Sequence, residues 1–150
     1  MKNLYDPARV AEIKQRIAQL SPDSERRWGT MTPAQMVTHC VRGMQMTTGE
    51  LNLPRIFLGR IIGRRIGAIV FKDDKPFGKN SPTAKALVVK DDPNFEAERA
   101  RLLESIDRFV AAGPAGCTKH PHAFFGKMNS DQWAILAYKH LDHHLRQFGA

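Results

Sequence analysis

The chain has 150 residues, 42% hydrophobic and 25% charged, the size and make-up of one ordinary globular domain (1–150) with room for its own core. No apolar run approaches the roughly 18 residues of a membrane span, and Met1 to Asp6 lack the charged-then-apolar pattern of a signal segment, so no membrane partner is expected. The net charge of +8 is the one oddity, and it is local: from Leu51 to Lys90 there are nine basic and two acidic residues, a net of +7.

Asp6-Pro7 reads as an N-cap followed by proline at the first helical position. Val10, Ile13, Ile17 and Leu20 then recur at helical spacing until Ser21-Pro22. Thr32-Pro33-Ala34-Gln35 is a capping box that opens a second helix, with Met36, His39, Cys40, Gly43 and Met46 on one face. Pro54 to about Val70 is predicted as a helical segment weakened by Gly59, Gly63 and Gly67, whose four-residue spacing could permit a close backbone approach. A membrane G-x-x-x-G dimer is excluded there, because Arg60, Arg64 and Arg65 interrupt the run. Lys72 to Pro82 is predicted loop, and Ala86 to Lys90 the one extended stretch.

Asp92-Pro93 is expected to start the next helix as Asp6-Pro7 does, with Phe95, Leu102, Ile106, Phe109 and Val110 lining its apolar side and Gly113-Pro114 stopping it. A connection runs from Ala115 to Met128, and Asn129 with Gln132 caps a final helix to about Phe148. These stripes predict an all-α domain in which helix packs on helix, with one extra helical segment and long connections. A homodimer through helix faces is compatible with a bundle of this size.

The chemistry-bearing residues are histidines. His140 and His144 stand four apart on the last helix and project from one face, behind Trp133, Leu136 and Ala137. Such an H-x-x-x-H pair is a two-point clamp for a divalent metal, and His39 on the apolar face of the second helix is the natural third ligand. Three protein ligands leave a position open, the pattern of catalytic sites. Against this stands the ordinary hydrogen-bonded core histidine, and spacing alone divides the two evenly.

Around that trio, His143, Asp142, Gln147, Trp133 and His120 are the pocket or supporting candidates. Asp142 is weighed as an imidazole orienter against the commoner fate of a solvated carboxylate. His120 and His122, flanking Pro121, are weighed as rim residues against a plain loop. Arg55, Arg60 and Arg64 are the anion-binding candidates. Cys40, beside His39, reads as a small core residue. Cys117 is far from it with no C-x-x-C pair, so a reducing cytoplasm is the expected compartment.

Three stretches carry a family resemblance: Trp28-Gly-Thr-Met-Thr-Pro-Ala-Gln-Met-Val-Thr-His39, Asn80-Ser-Pro-Thr through Phe95-Glu-Ala-Glu-Arg, and His120-Pro-His-Ala-Phe-Phe-Gly-Lys-Met-Asn-Ser-Asp-Gln-Trp133 with Tyr138-Lys-His-Leu-Asp-His-His-Leu-Arg-Gln-Phe148. Together they resemble a bacterial family of unknown function within the DinB/YfiT-like superfamily. The resemblance implies an up-down four-helix bundle. It also implies one metal on a histidine of the second helix and an H-x-x-x-H pair of the last, here His39, His140 and His144. Where the superfamily often shows His-Arg-Gly-Gln, this chain reads His144-Leu-Arg-Gln147, which puts the superfamily's arginine role in doubt.

The implied cofactor is a divalent ion, zinc or nickel first and iron or manganese next. The implied function is a metal-dependent transferase or hydrolase acting on a small molecule, with a low-molecular-weight thiol as one candidate. No catalytic residue is named. The alternative is a non-enzymatic binding or scaffold protein using the basic segment 51–90, with nucleic acid its weaker form because few aromatics interleave the charges.

Overall fold

Four of the five α-helices begin where a side chain takes up backbone donors that the helix itself cannot satisfy. The computed structural model describes residues 1–81 and 83–150, so the last residue of the expected Lys72–Pro82 loop lies outside the described residues. Helix α1 (Pro7–Ala18) starts at Asp6, whose carboxylate accepts from the Ala8 amide. Helix α2 (Pro33–Thr48) starts with the reciprocal Thr32–Gln35 capping box, and α5 (Ser130–Gln147) with the Asn129–Gln132 one. Helix α4 (Phe95–Ala112) is capped by Asn94, not Asp92: the Asn94 side chain reaches the Ala97 amide, which moves the start two residues on. Helix α3 (Phe57–Val70) starts after Pro54, because the Ile56 amide is engaged by the Ala123 carbonyl and Ile56 is extended.

The molecule is all-helical, with these five α-helices and no strand among the described residues beyond an isolated bridge between His122 and Gly126. The expected extended stretch at Ala86–Lys90 is instead entered by a 3-10 turn, Lys85–Leu87, closed by Leu87 and Val88 amides on the Ala84 and Lys85 carbonyls. Val88 beyond the turn is extended, and its carbonyl is taken by the Arg42 side chain rather than by a neighbouring strand. A second 3-10 turn, Pro114–Gly116, follows α4.

Helices α1, α2, α4 and α5 share one core. The most extensive contacts are those of α2 with α4 and then with α5; α1 packs on α5 and, less closely, on α4. Ile13, Ile17, Met36, Val37, Met44, Leu102, Ile106, Phe109 and Leu141 are fully or almost fully buried there. Val110 is the exception to the expected α4 stripe and is exposed. Tyr5 stacks on Phe109 with ring centroids 5.3 Å apart.

Helix α3 lies outside this core. Gly59, Gly63 and Gly67 are its buried residues, and they face the 122–126 loop. A Cβ at Gly59 would stand 2.6 Å from the Phe124 carbonyl oxygen, and one at Gly63 would collide with the same oxygen. The close backbone approach expected from the glycine spacing is therefore present, and it is made to a loop. Lys139 of α5 closes the far end of α3, donating to the Val70 carbonyl at 2.7 Å and the Asp73 carbonyl at 2.9 Å. No helix of the described residues is long and apolar enough to cross a membrane.

Candidate metal centre

His39 comes from the middle of α2, and His140 and His144 from successive turns of α5. The three imidazoles offer ligand nitrogens that all lie within 4.8 Å of one another. Ring centroids are 4.9 Å apart for His39 and His140, and 4.7 Å for His39 and His144 and for His140 and His144. His39 and His144 are buried, and His140 is half-buried.

Two of the rings are oriented through Nδ1. His39 Nδ1 stands 3.0 Å from the Leu87 carbonyl oxygen, which only accepts, so the ring hydrogen is on Nδ1. The 3-10 turn presents that carbonyl, and Arg42, one turn beyond His39, donates to the Ala86 and Val88 carbonyls on either side of it. His144 Nδ1 stands 2.9 Å from Gln147 Oε1. The amide orientation is set at its other end, because Gln147 Nε2 donates to the Trp28 carbonyl at 2.8 Å. His144 therefore also keeps its hydrogen on Nδ1. In both rings Nε2 is left as the lone-pair atom, the tautomer a metal ligand needs.

His39 Nε2 and His140 Nε2 face each other at 2.9 Å. His39 offers only a lone pair at that atom, so His140 Nε2 carries the hydrogen and donates it across this contact. The donor set, three neutral imidazoles, fits a borderline divalent ion. Burial holds all three rings in the neutral form. His39 is lowered from its ordinary pKa by desolvation, with Arg42 adding to the fall. His140 is lowered well below by desolvation and then by the neighbouring imidazoles. His144 is pushed down to about 3 by desolvation, then by His39.

Small residues make room for this arrangement. A Cβ at Gly43 would stand 2.8 Å from His140 Cε1 and 2.9 Å from its Nδ1. Gly29, at φ +80°, passes so close to Gln147 Nε2 that a side chain there would displace the amide.

The histidines open on a cavity of about 430 Å³, walled by Trp28, Thr30, Met31, Gln35, Asn80, Ser81, Thr83 and Leu87 to Val89. His143 lines it too, between Trp28 (centroids 5.8 Å apart) and Phe77 (6.0 Å), and desolvation lowers its pKa. Gln147 also lines it. On the other side of His140 lies a smaller cavity of about 80 Å³, lined by Gly43, Met46, His122, Trp133 and Leu136.

The remaining candidates fall elsewhere. Asp142 is buried, not solvated, and touches no imidazole by hydrogen bond: Arg16 Nη1 and Arg146 Nε each donate to it at 2.8 Å. It ties α1 to α5 and commits Arg146 to that pair. His120 is exposed and lines neither cavity, whereas His122 is turned inward. His122 Nδ1 accepts from the Phe124 and Phe125 amides at 3.1 and 3.2 Å, and its ring lies 5.4 Å from that of Trp133. Arg60 and Arg64 are exposed on α3, and Arg55 donates to the Gly59 carbonyl at 2.9 Å; none of them lines the cavity. Cys40 is fully buried, with burial pushing its thiol up, away from the reactive thiolate. Leu87, Arg42, Gly43 and Gly29, which position the histidines, were not among the expected site residues, whereas Trp28, expected as core or pocket lining, does line the cavity. Only the capping motif around Thr32 and the glycines themselves hinted at them.

Comparison with known families decides one point, since a family model described as protein of unknown function (DUF1569) matches residues 6–150. The chain belongs to the DUF1569 family. No curated protein and no solved structure matches it. DUF1569 membership accounts for nearly the whole chain and leaves the activity to be argued from the histidine cluster.

Proposed function

We propose that this DUF1569 protein has the four-helix bundle of the DinB/YfiT-like superfamily. In this reading it holds one divalent ion on His39, His140 and His144 and acts as an enzyme on a small molecule in the adjoining cavity. The observation that carries the reading is the convergence of three neutral imidazoles, two of them turned by carbonyl acceptors on Nδ1 so that Nε2 is free. Core histidines satisfied for packing alone do not need three rings to present nitrogens to one point. Zinc or nickel suits this donor set best, and iron or manganese follows.

A divalent ion held there supplies Lewis acidity and lowers the pKa of a water or thiol presented to it. The chain's own residues do the rest. Leu87 and Gln147 hold the ring orientations, and Trp28, Asn80, Ser81 and Thr83 enclose the substrate. His143, which lines the same cavity and is held towards the neutral form by burial, is the group we assign to accept a proton from a bound substrate. Group transfer or hydrolysis is the reaction class this arrangement supports, with a low-molecular-weight thiol among the candidate substrates on the strength of the superfamily resemblance.

The test is elemental mass spectrometry on tag-free protein beside a His140→Ala/His144→Ala variant. The reading expects about one equivalent of metal in the parent and little in the variant. A parent that carries no metal and takes up neither added zinc nor added nickel returns the histidines to the core.

A further inference from the structure

We propose that the outward face of α3 docks on the surface of an anionic lipid bilayer, a peripheral contact that the expectation of no membrane partner, resting on the lack of a spanning run or signal segment, did not consider. The helix is amphipathic in an inverted sense: its small residues face the protein and its large apolar ones face outward. Phe57 is 78% exposed, Ile69 65%, Ile61 61% and Leu58 55%. Monomeric proteins rarely leave so many large apolar side chains together in water without a use for them. The helix cannot roll to hide them, because the Gly59 and Gly63 edge is pressed on the Phe124 carbonyl and the C-terminal end is held by Lys139.

Charge selects the occupant. Arg60, Arg64 and Arg65 are exposed on the same helix, Lys72 and Lys75 follow it, and residues 57–70 contain no acidic residue. A second copy of this chain would set three arginines against three more with no carboxylate between them. The nearest acids are engaged, Asp74 by the Lys2 amide at 2.9 Å and Asp73 by the Lys75 amide at 3.0 Å. An anionic bilayer answers both needs at once: acyl chains at the headgroup boundary for Phe57, Leu58, Ile61 and Ile69, and lipid phosphates for the arginines. With 14 residues and three arginines the helix lies on the surface rather than crossing it. This role is separate from the histidine cluster and stands without it.

Flotation of the full chain on vesicles tests the docking. The protein is expected to float with vesicles of phosphatidylcholine and phosphatidylglycerol at low salt and to stay behind with phosphatidylcholine alone. Arg60→Glu/Arg64→Glu should weaken the partition by at least roughly 30-fold, about five-fold per arginine lost. Phe57→Ser/Ile61→Ser, which leaves the charge unchanged, should weaken it by roughly 10-fold or more. Far-UV circular dichroism checks that both variants keep the fold, as exposed positions allow. Three results overturn the proposal: no flotation with anionic vesicles, flotation indifferent to Phe57→Ser/Ile61→Ser, or a solution dimer that the same substitutions dissolve in a protein that ignores vesicles.

Discussion

Gln147 Oε1 accepts from Nδ1 of His144 at 2.9 Å, and the same amide donates to the Trp28 carbonyl at 2.8 Å. A loop residue 119 positions away thereby sets the tautomer of an imidazole on α5. Orienting contacts of this kind typically change metal affinity 10- to 100-fold when removed. Gln147→Leu should therefore weaken zinc binding by roughly that factor, measured by competition with a chromogenic chelator. Gln147→Glu keeps an acceptor for His144 and loses the donor to Trp28, so it should retain most of the affinity. Equal losses in the two variants would assign the effect to the Trp28 tether instead.

Gly43→Ala separates the site from the scaffold. Alanine is a better helix former than glycine by about 1 kcal/mol, and α2 has regular helix on both sides of this position. The new Cβ would meet the His140 ring at 2.8 Å, and the ring, as the far end of a side chain, must move. The expected outcome is an unchanged or raised Tm with metal affinity down on the order of 10-fold. A variant that keeps full affinity would show that His140 has freedom to retreat without leaving the ligand set.

Much of this was legible in the sequence because it is local. The caps at Asp6, Thr32 and Asn129 lie within three residues of the amides they satisfy, and the His140/His144 pair shares a face by helical period alone. The glycine spacing of α3 announced a close approach without saying to what. The illegible part depends on partners far away in the chain. Asp142 looked like a surface carboxylate until Arg16, 126 residues away, buried it. His120 and His122 are alike in sequence, and only the tight 122–126 turn, with its two amides on His122 Nδ1, points the second one inward. Asp92 and Asn94 are both competent caps, and the choice between them rests on where the Ala97 amide falls.

The glycine stripe of α3 predicts substitutions of opposite sign on one helix. A Cβ at Gly63 collides with the backbone oxygen of Phe124, which cannot swing aside as a side chain can. Gly63→Ala should destabilise by roughly 1–3 kcal/mol, as overpacking does, and loosen α3 from the 122–126 loop. At Gly67 the nearest atoms would be 3.6 Å away, an ordinary contact. Gly67→Ala should therefore stabilise by up to about 1 kcal/mol through helix propensity. Urea unfolding of the two variants beside the parent decides it; a shared sign would mean that the packing against Phe124 does not hold in solution.

Buried imidazoles also set the acid limit of the metal-stripped fold. Burial, followed by the Arg55 charge, pushes His122 down to about 4, and burial followed by His39 pushes His144 down to about 3. In the unfolded chain each takes up a proton near pH 6.5. Between that pH and the folded values the unfolded state binds more protons, so falling pH drives unfolding. The stability these neutral rings contribute is whole above about pH 6.5 and is lost progressively towards pH 4 and 3, at up to about 1.4 kcal/mol per pH unit for each histidine. Metal-stripped protein should show urea midpoints that fall steadily from about pH 6.5 downwards, with a shallower fall in a His122→Leu variant, which lacks one of the groups. His39 and His140, lowered by the same desolvation, steepen the slope further. A midpoint that stays level from pH 7 to about 5 would contradict the neutral, buried cluster on which the metal reading rests.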